Sequence, residues 1–434
     1  MNEAWQFRVR LLALITGCCV AMFVVNMAHA WSLEPTILNL LRKCFQGLSL
    51  DDSWMPMREA YLFAKEHPSG LIYQQVFFEQ KIKFQYPPSS LLIFRWGDSL
   101  GFPLSDAFLN QVVWFFALAQ CGVLGVFACA CIQKTDVRLN MLDRTVIFLT
   151  GFSLSLLFYP FVKGVLLGQV QVWLNALFCS ACCCWFLGKR AAAGVLVGLV
   201  CVFKPQFGIF LIWGLLRREW SFTLGWLAVV VPAELAALWT FGWANHIDYL
   251  SALRFMSAHG ESYHPNQSVN GLVHRWLGNG NNVEWFDGFP PRHAWVHALT
   301  LLSSLVFLAC AMMGRRWRVR PGSMADFLFA GTVFTMASPI AWEHHYGMLP
   351  AAFVFLACAL VTARGRTGLW PWLLLVLAHL LSASFLPEFH AWADTPFNFV
   401  QSYLFMAGLL MLWLLHKART QGLGAEPMGS PMMA

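Results

Sequence analysis

Apolar runs of roughly 18 residues or more, long enough to cross the hydrocarbon core of a bilayer, recur from one end of this chain to the other, broken by short polar stretches. Backbone groups in lipid must be satisfied within the segment or in a closed barrel. These runs are too long and continuous for barrel strands, so they read as helices. These and a few shorter apolar runs fall at 9–30, 104–132, 145–162, 169–187, 190–203, 206–216, 221–241, 294–313, 324–340, 346–362, 369–386 and 397–415. The pattern therefore predicts an all-α polytopic membrane protein with about twelve spans. The run at 206–216 is short enough to be re-entrant or tilted.

Two breaks are longer. Segment 31–103 contains "ILNLLRKCFQGL" and "DDSWMPMREAYLFAKEH", which both suit amphipathic helices on a membrane surface. Segment 242–293 is rich in Trp, His, Tyr, Asn and Gly. Neither is long enough to stand alone. The expectation is one integral domain over 1–420, capped at one face by these two segments, with a disordered tail at 421–434.

Charge sets the orientation. Lys and Arg concentrate in short cytoplasmic loops. With the N-terminus inside, every predicted inner loop is basic: Arg8/Arg10, Lys134/Arg138/Arg144, Lys189/Arg190, Arg217/Arg218, "GRRWRVR" (314–320), Arg364/Arg366 and Lys417/Arg419. Both termini are then expected in the cytoplasm, and the chain in the plasma (inner) membrane as a multi-pass protein. The +7 net charge reads as a topology signal rather than a nucleic-acid footprint. The stretch from Phe7 to Trp31 imitates a signal peptide with an A-x-A end at Ala28–Ala30. Its long apolar core favours an uncleaved first span. The 13 cysteines lie almost all in apolar runs and lack zinc-site spacing, which suits packing better than a disulfide framework.

Polar and ionisable residues at membrane level are costly, and they tend to mark functional cavities. Here they gather at one end of the spans. "DDSW" (51–54), "FQYPPS" (84–89), "LLGQVQ" (166–171), "FKPQFG" (203–208), "PNQSVNGLVHR" (265–275) and "SPIAWEHH" (338–345) all fall on the predicted outer side. Asp51 and Asp52 are candidate bases, although an Asp before a helix also serves as a cap. Tyr86 precedes two prolines that fit a helix start, and Lys204 sits at an interface where a lysine can snorkel. His344 and His345 are adjacent, so on a helix they point to different faces. Phosphate binding or proton transfer suits them better than a metal, and no metal or cofactor is expected.

Together these supply a carboxylate for base catalysis. Lys204, Arg275, His344 and His345 supply cations for an anion, and Gln169, Gln206, Asn266 and Gln267 supply amides for hydroxyls. That set suits transfer of a sugar from a lipid phosphate, where cations stabilise the charge developing on the leaving group. Two other readings stay in view: a transporter or flippase of a lipid-linked or amphipathic substrate, and a glycan ligase using a diphosphate carrier. Transporters place their polar groups near the midplane on interrupted, paired helices. This chain shows them at one surface with no visible inverted repeat.

The order of these fragments resembles the GT-C-type polyprenol-phosphate-sugar transferases of glycosyltransferase family 87. The residues that carry the resemblance are Asp52, Arg58-Glu59-Ala60, Tyr73, Tyr86-Pro87-Pro88, Gly168-Gln169, Lys204-Pro205-Gln206, Asn266-Gln267-Ser268 with Arg275, and Ser338-Pro339 with Trp342, His344 and His345. Ser53 stands where such proteins usually carry an aromatic residue. The resemblance implies a metal-independent, inverting hexosyltransferase at the outer face, with a polyprenyl-phosphate sugar, usually mannose, as donor and a lipid or glycan as acceptor. It further implies Asp52 as the general base. Lys204, Arg275, His344 and His345 would hold the donor phosphate, and Tyr86, Gln169, Gln206, Asn266, Gln267 and Trp342 would hold substrate. The partners it implies are these substrates and membrane lipids, with no nucleic acid.

Overall fold

The computed structural model describes residues 3–32, 37–47, 51–102, 104–135, 139–314, 318–362 and 368–421. The expected tail therefore lies, but for Gln421, outside the described residues, as do Arg138, Arg364, Arg366 and part of the basic run at 314–320.

The described chain is all-helical. Helix α1 (Glu3–Ser32) runs through Ala28–Ala30 and is followed by α2 (Ile37–Phe45), α3 (Trp54–Glu66), a π-helical turn at Tyr73–Glu79, and α4 (Leu92–Ser99). Next come α5 (Asp106–Gln133), α6 (Met141–Leu156), α7 (Tyr159–Leu166), α8 (Gln171–Phe186), α9 (Arg190–Phe203), α10 (Ile209–Arg217) and α11 (Trp220–His259). The short α12 (Val269–Trp276) leads into α13 (Ala294–Met312), α14 (Met324–Met336), α15 (Pro350–Thr362), α16 (Leu369–Ala383) and α17 (Tyr403–Gln421).

Five of these stretches are long and apolar enough to cross a membrane, or six if the bent pair α6–α7 counts as one span. The other apolar runs form the shorter helices α8, α9, α14, α15 and α16. The runs depart from the sequence pattern at particular residues. The run at 145–162 breaks by 56° between α6 and α7. Pro160 sits in the first turn of α7, where its missing N–H costs nothing. The run at 221–241 ends in a kink at Gly242, whose φ of 76° only glycine takes without strain, and a second helical segment of α11 follows the kink to His259. The first part of the segment 242–293, up to His259, is thus helical.

Close approach fixes the central pair. A Cβ on Gly194 of α9 would lie 2.0 Å from the Phe222 carbonyl of α11, and one on Gly225 would lie 2.2 Å from the Ala191 carbonyl. Where lipid offers no hydrophobic drive between helices, such small residues let backbones pack directly. At the far end, Arg217 and Arg419 converge on Asp326 at 2.7 and 3.3 Å, all three side chains at most 2% exposed. This triad ties α10, α14 and α17 together and leaves the opposite end of the bundle to the loops.

Candidate active site

Those loops enclose a cavity of about 920 Å³. Of the residues singled out by sequence, Asp52, Tyr86, Gln169, Lys204, Gln206, Trp342, His344 and His345 line it. Arg275, Asn266 and Gln267 stand behind its wall.

Asp52 sits before α3, yet its carboxylate caps nothing. The N-cap is Ser53, and its side chain makes no capping bond. The Asp52 carboxylate instead accepts from Gln169 Nε2, and its backbone N–H donates to the Leu167 carbonyl at 3.1 Å. Gly168, in the left-handed region, ends α7 and turns Gln169 toward the aspartate. Ser53 Oγ donates to Gln169 Oε1 at 2.7 Å, lies 3.0 Å from the Tyr86 hydroxyl and accepts from Val170 N at 3.1 Å. The small residue after the aspartate is therefore the hinge of a network that aims it. Asp52 is exposed to the cavity but deep within the protein. Burial pushes its pKa up, and the Gln169 bond and Lys163 pull it back.

Glu343 is the rival carboxylate in the wall. It is 1% exposed and bonded to the Tyr159 hydroxyl at 2.8 Å. Burial raises its pKa as well, against Lys163 and Tyr159. Of the two carboxylates, Asp52 is the more accessible from the cavity.

Cations surround the same space. Lys204 follows α9 where Pro205 stops the helix. It is 8% exposed, and burial holds its amine well below the usual lysine range. Sequence reasoning passed over Lys81, Lys83 and Lys163, all of which line the cavity. Lys83 is paired with Glu261 at 3.1 Å. The side-chain amines of Lys81, Lys163 and Lys204 have no hydrogen-bond or ion-pair partner among the described residues. Lys163 was hidden in the run before "LLGQ", where it looked like a lone helix-end lysine.

His344 and His345 lie in a buried 3-10 turn, Glu343–Met348, rather than on a helix, their rings 4.8 Å apart. Burial first, then Lys204, pushes both pKa values well below the usual histidine value. Both imidazoles are therefore held toward the neutral form, where cations were expected. Among the described residues no three His, Cys, Asp or Glu side chains are grouped to hold a metal.

Asn266, Gln267 and Arg275 build the wall. Asn266 accepts from Ala341 N at 2.9 Å and donates to the Glu261 and Pro339 carbonyls. Gln267 donates to the His264 and Gln401 carbonyls and accepts from Phe405 N. Arg275, 1% exposed, spends its amino groups on the Ser262, Tyr263 and Asn266 carbonyls and on Ser402 Oγ. These residues fasten the loop after Gly260 to the strip that carries Trp342 and the two histidines. The opposite flank of the cavity is apolar, with Phe203, Ile209, Leu253, Leu308 and Phe334 supplied by α9, α10, α11, α13 and α14.

The family model for Glycosyltransferase family 87 matches residues 84–339. The chain is 23% identical over 290 residues to a polyprenol-phosphate-mannose-dependent alpha-(1-2)-phosphatidylinositol mannoside mannosyltransferase of Mycobacterium tuberculosis, covering 63% of this chain and 62% of the relative. It is 27% identical over 217 residues to the protein of the same description from Mycolicibacterium smegmatis, covering 47% of this chain and 44% of the relative. The matches thus span less than two thirds of either relative. No solved structure matches.

Proposed function

The chain belongs to glycosyltransferase family 87, and on that premise we propose that it transfers a mannosyl residue from a polyprenyl-phosphate donor to a lipid or glycan acceptor, with inversion, at the outer face of the membrane. The two relatives are described as polyprenol-phosphate-mannose-dependent, which supports the donor. The carrying observation is a single cavity that joins a water-facing carboxylate, unpaired lysines and an apolar flank.

The chemistry follows from that arrangement. Asp52 takes the proton of an acceptor hydroxyl as its oxygen attacks the anomeric carbon. The bond from that carbon to the phosphate oxygen breaks on the opposite side, which inverts the centre. A diester with one negative charge becomes a monoester with two, so Lys163 and Lys204 bind the departing phosphate more strongly than the donor. His344 and His345 add neutral donors. The prenyl chain leaves along Phe203, Ile209, Leu253, Leu308 and Phe334. The five spans, the bent pair, the five shorter apolar helices and α10 together give about twelve crossings, with both termini cytoplasmic and the cavity outside.

The test is mannosyl transfer or hydrolysis from synthetic polyprenyl-phosphate-mannose by the protein in nanodiscs. Asp52→Asn is expected to lower turnover by about 10²–10⁴-fold while donor binding persists. Equal turnover in variant and wild type would remove Asp52 from the mechanism, and wild-type protein that neither binds nor turns over this donor would sink the reading.

A further inference from the structure

Helix α7, Tyr159–Leu166, meets a carboxylate-bearing residue at each end. At its start the Tyr159 hydroxyl donates to Glu343 Oε2 at 2.8 Å. Just past its end the Leu167 carbonyl accepts from the Asp52 N–H at 3.1 Å. Residues four apart share a helix face, so Tyr159, Lys163 and Leu167 stand in one row, about 12 Å long at the usual helical rise. Lys163 is halfway along it. Asp52, Lys163 and Glu343 all line the cavity.

Two groups in this row are incomplete. The Lys163 amine has no hydrogen-bond or ion-pair partner among the described residues. Glu343 is 1% exposed, and its Oε1 is buried without a hydrogen-bond partner among them. A buried carboxylate is costly unless it is paired. The backbone brings these two groups close: a Cβ on Gly164 would lie 3.5 Å from His344 Cβ, so α7 packs directly on the turn that carries Glu343. Asn175 fixes that turn by donating to the His344 carbonyl at 3.1 Å.

Other groups face the pair. Tyr159, Arg275, Tyr263 and Tyr403 surround Glu343, and His264 and His344 stand within electrostatic reach of Lys163. Arg275 spends its amino groups on carbonyls and on Ser402, so Lys163 is the cation whose whole head is free to turn. Burial pushes the pKa of both Asp52 and Glu343 up, and Lys163 pulls both back. One lysine thus serves two carboxylates.

We propose that Glu343 is a positioning residue: ionised and tethered by Tyr159, it shares Lys163 with Asp52 and holds that lysine midway, where the phosphate leaves. This rests on the transferase reading above and adds a residue to it. In the transfer, Asp52 takes a proton and loses its charge in the same step in which the phosphate gains one. A lysine held by Asp52 alone would stay with the base until the proton arrived. A lysine held by Glu343 as well stands toward the phosphate before the bond from carbon to oxygen breaks, and a cation already in place stabilises the developing charge best.

Infrared difference spectra of the full-length protein in nanodiscs, wild type minus Glu343→Gln, isolate the Glu343 carboxyl with no substrate present. Glutamine keeps the size of the side chain and an oxygen for the Tyr159 hydroxyl. The expected spectrum shows an ionised carboxylate at neutral pH. In the Lys163→Met background the same difference is expected to show protonation at a pH higher by about one unit or more. Kinetics with polyprenyl-phosphate-mannose then read position. Glu343→Gln leaves Lys163 wholly to Asp52, so the acid limb of kcat/KM moves to lower pH as the base becomes easier to ionise. In Lys163→Met the same substitution leaves the limb where Lys163→Met alone has it. A Glu343 signal that Lys163→Met does not move, a loss of turnover with the acid limb in place, or an equal shift without Lys163 would overturn the proposal. The infrared shift in a wild-type protein that never turns over this donor would keep the shared lysine and discard the transferase reading.

Discussion

Asp52 depends on neighbours that differ in kind. Gln169 bonds its carboxylate, Lys163 stabilises its charge, and Ser53 holds Gln169. Burial acts the other way, and the net effect raises the aspartate above its ordinary value of about 3.9. The base proposed at Asp52 works ionised, so activity is expected to be lost as pH falls through that raised value. The acid limb of kcat/KM for the wild type is therefore expected above the usual aspartate range. Lys163→Met removes a group that lowers the pKa, so the same limb moves to higher pH. An acid limb that shifts downward or stays put in this variant would break the link between Lys163 and Asp52. Asp52 and Gln169 were both legible in the sequence as members of ordered fragments. Lys163 was not, because one lysine near the end of an apolar run looks like any interfacial lysine.

Among the elements, the wall that presents Trp342, His344 and His345 is not a helix. It is a 3-10 turn laced to the loop after Gly260 by Asn266 and Gln267, with an isolated antiparallel bridge between Asn266 and Trp342. A fully buried glutamine whose carbonyl and amino groups are all engaged is a strut. Gln267→Ala would strand Phe405 N–H and two carbonyls, at a cost of about 1–3 kcal/mol per unsatisfied group. Thermal unfolding of the purified variant is expected at lower temperature, with the acid limb of its activity where the wild type has it. An unaltered midpoint would deny it the structural part. The sequence marked "PNQS" as polar and pointed it toward substrate. Which way an amide faces is a tertiary matter, since a loop amide beside a cavity can serve either the ligand or the backbone behind it.

Across the whole molecule, polarity is segregated. The buried triad of Arg217, Asp326 and Arg419 closes one end, and the cavity opens at the other. Removing Asp326 would leave two guanidinium groups buried without their shared anion, the costly way to break such a cluster. The orientation read from the basic loops is an expectation that labelling tests directly. A cysteine at exposed Glu284, beside the cavity mouth, is expected to react with a membrane-impermeant maleimide in intact cells, and one at Arg218 only after lysis. The reverse pattern would turn the protein over and place its reaction in the cytoplasm.

The sequence by itself determined that the chain is helical, that it is built for lipid, and which fragments carry polar chemistry. Those facts follow from the length of the apolar runs and from the cost of an unpaired polar group in hydrocarbon. Helix ends were less legible. Pro160 begins a helix where composition reads a continuous run, and a second helical segment follows the kink at Gly242 where composition reads a loop. The tertiary structure alone decided which polar residues face the cavity and which brace it. Asp52, Gln169 and Lys204 face inward, while Asn266, Gln267 and Arg275 have their hydrogen bonds committed to neighbouring groups. It also brought in Lys81 and Lys163, which no local pattern distinguishes. Sequence fixes what each side chain could bond, and packing settles what remains within its reach.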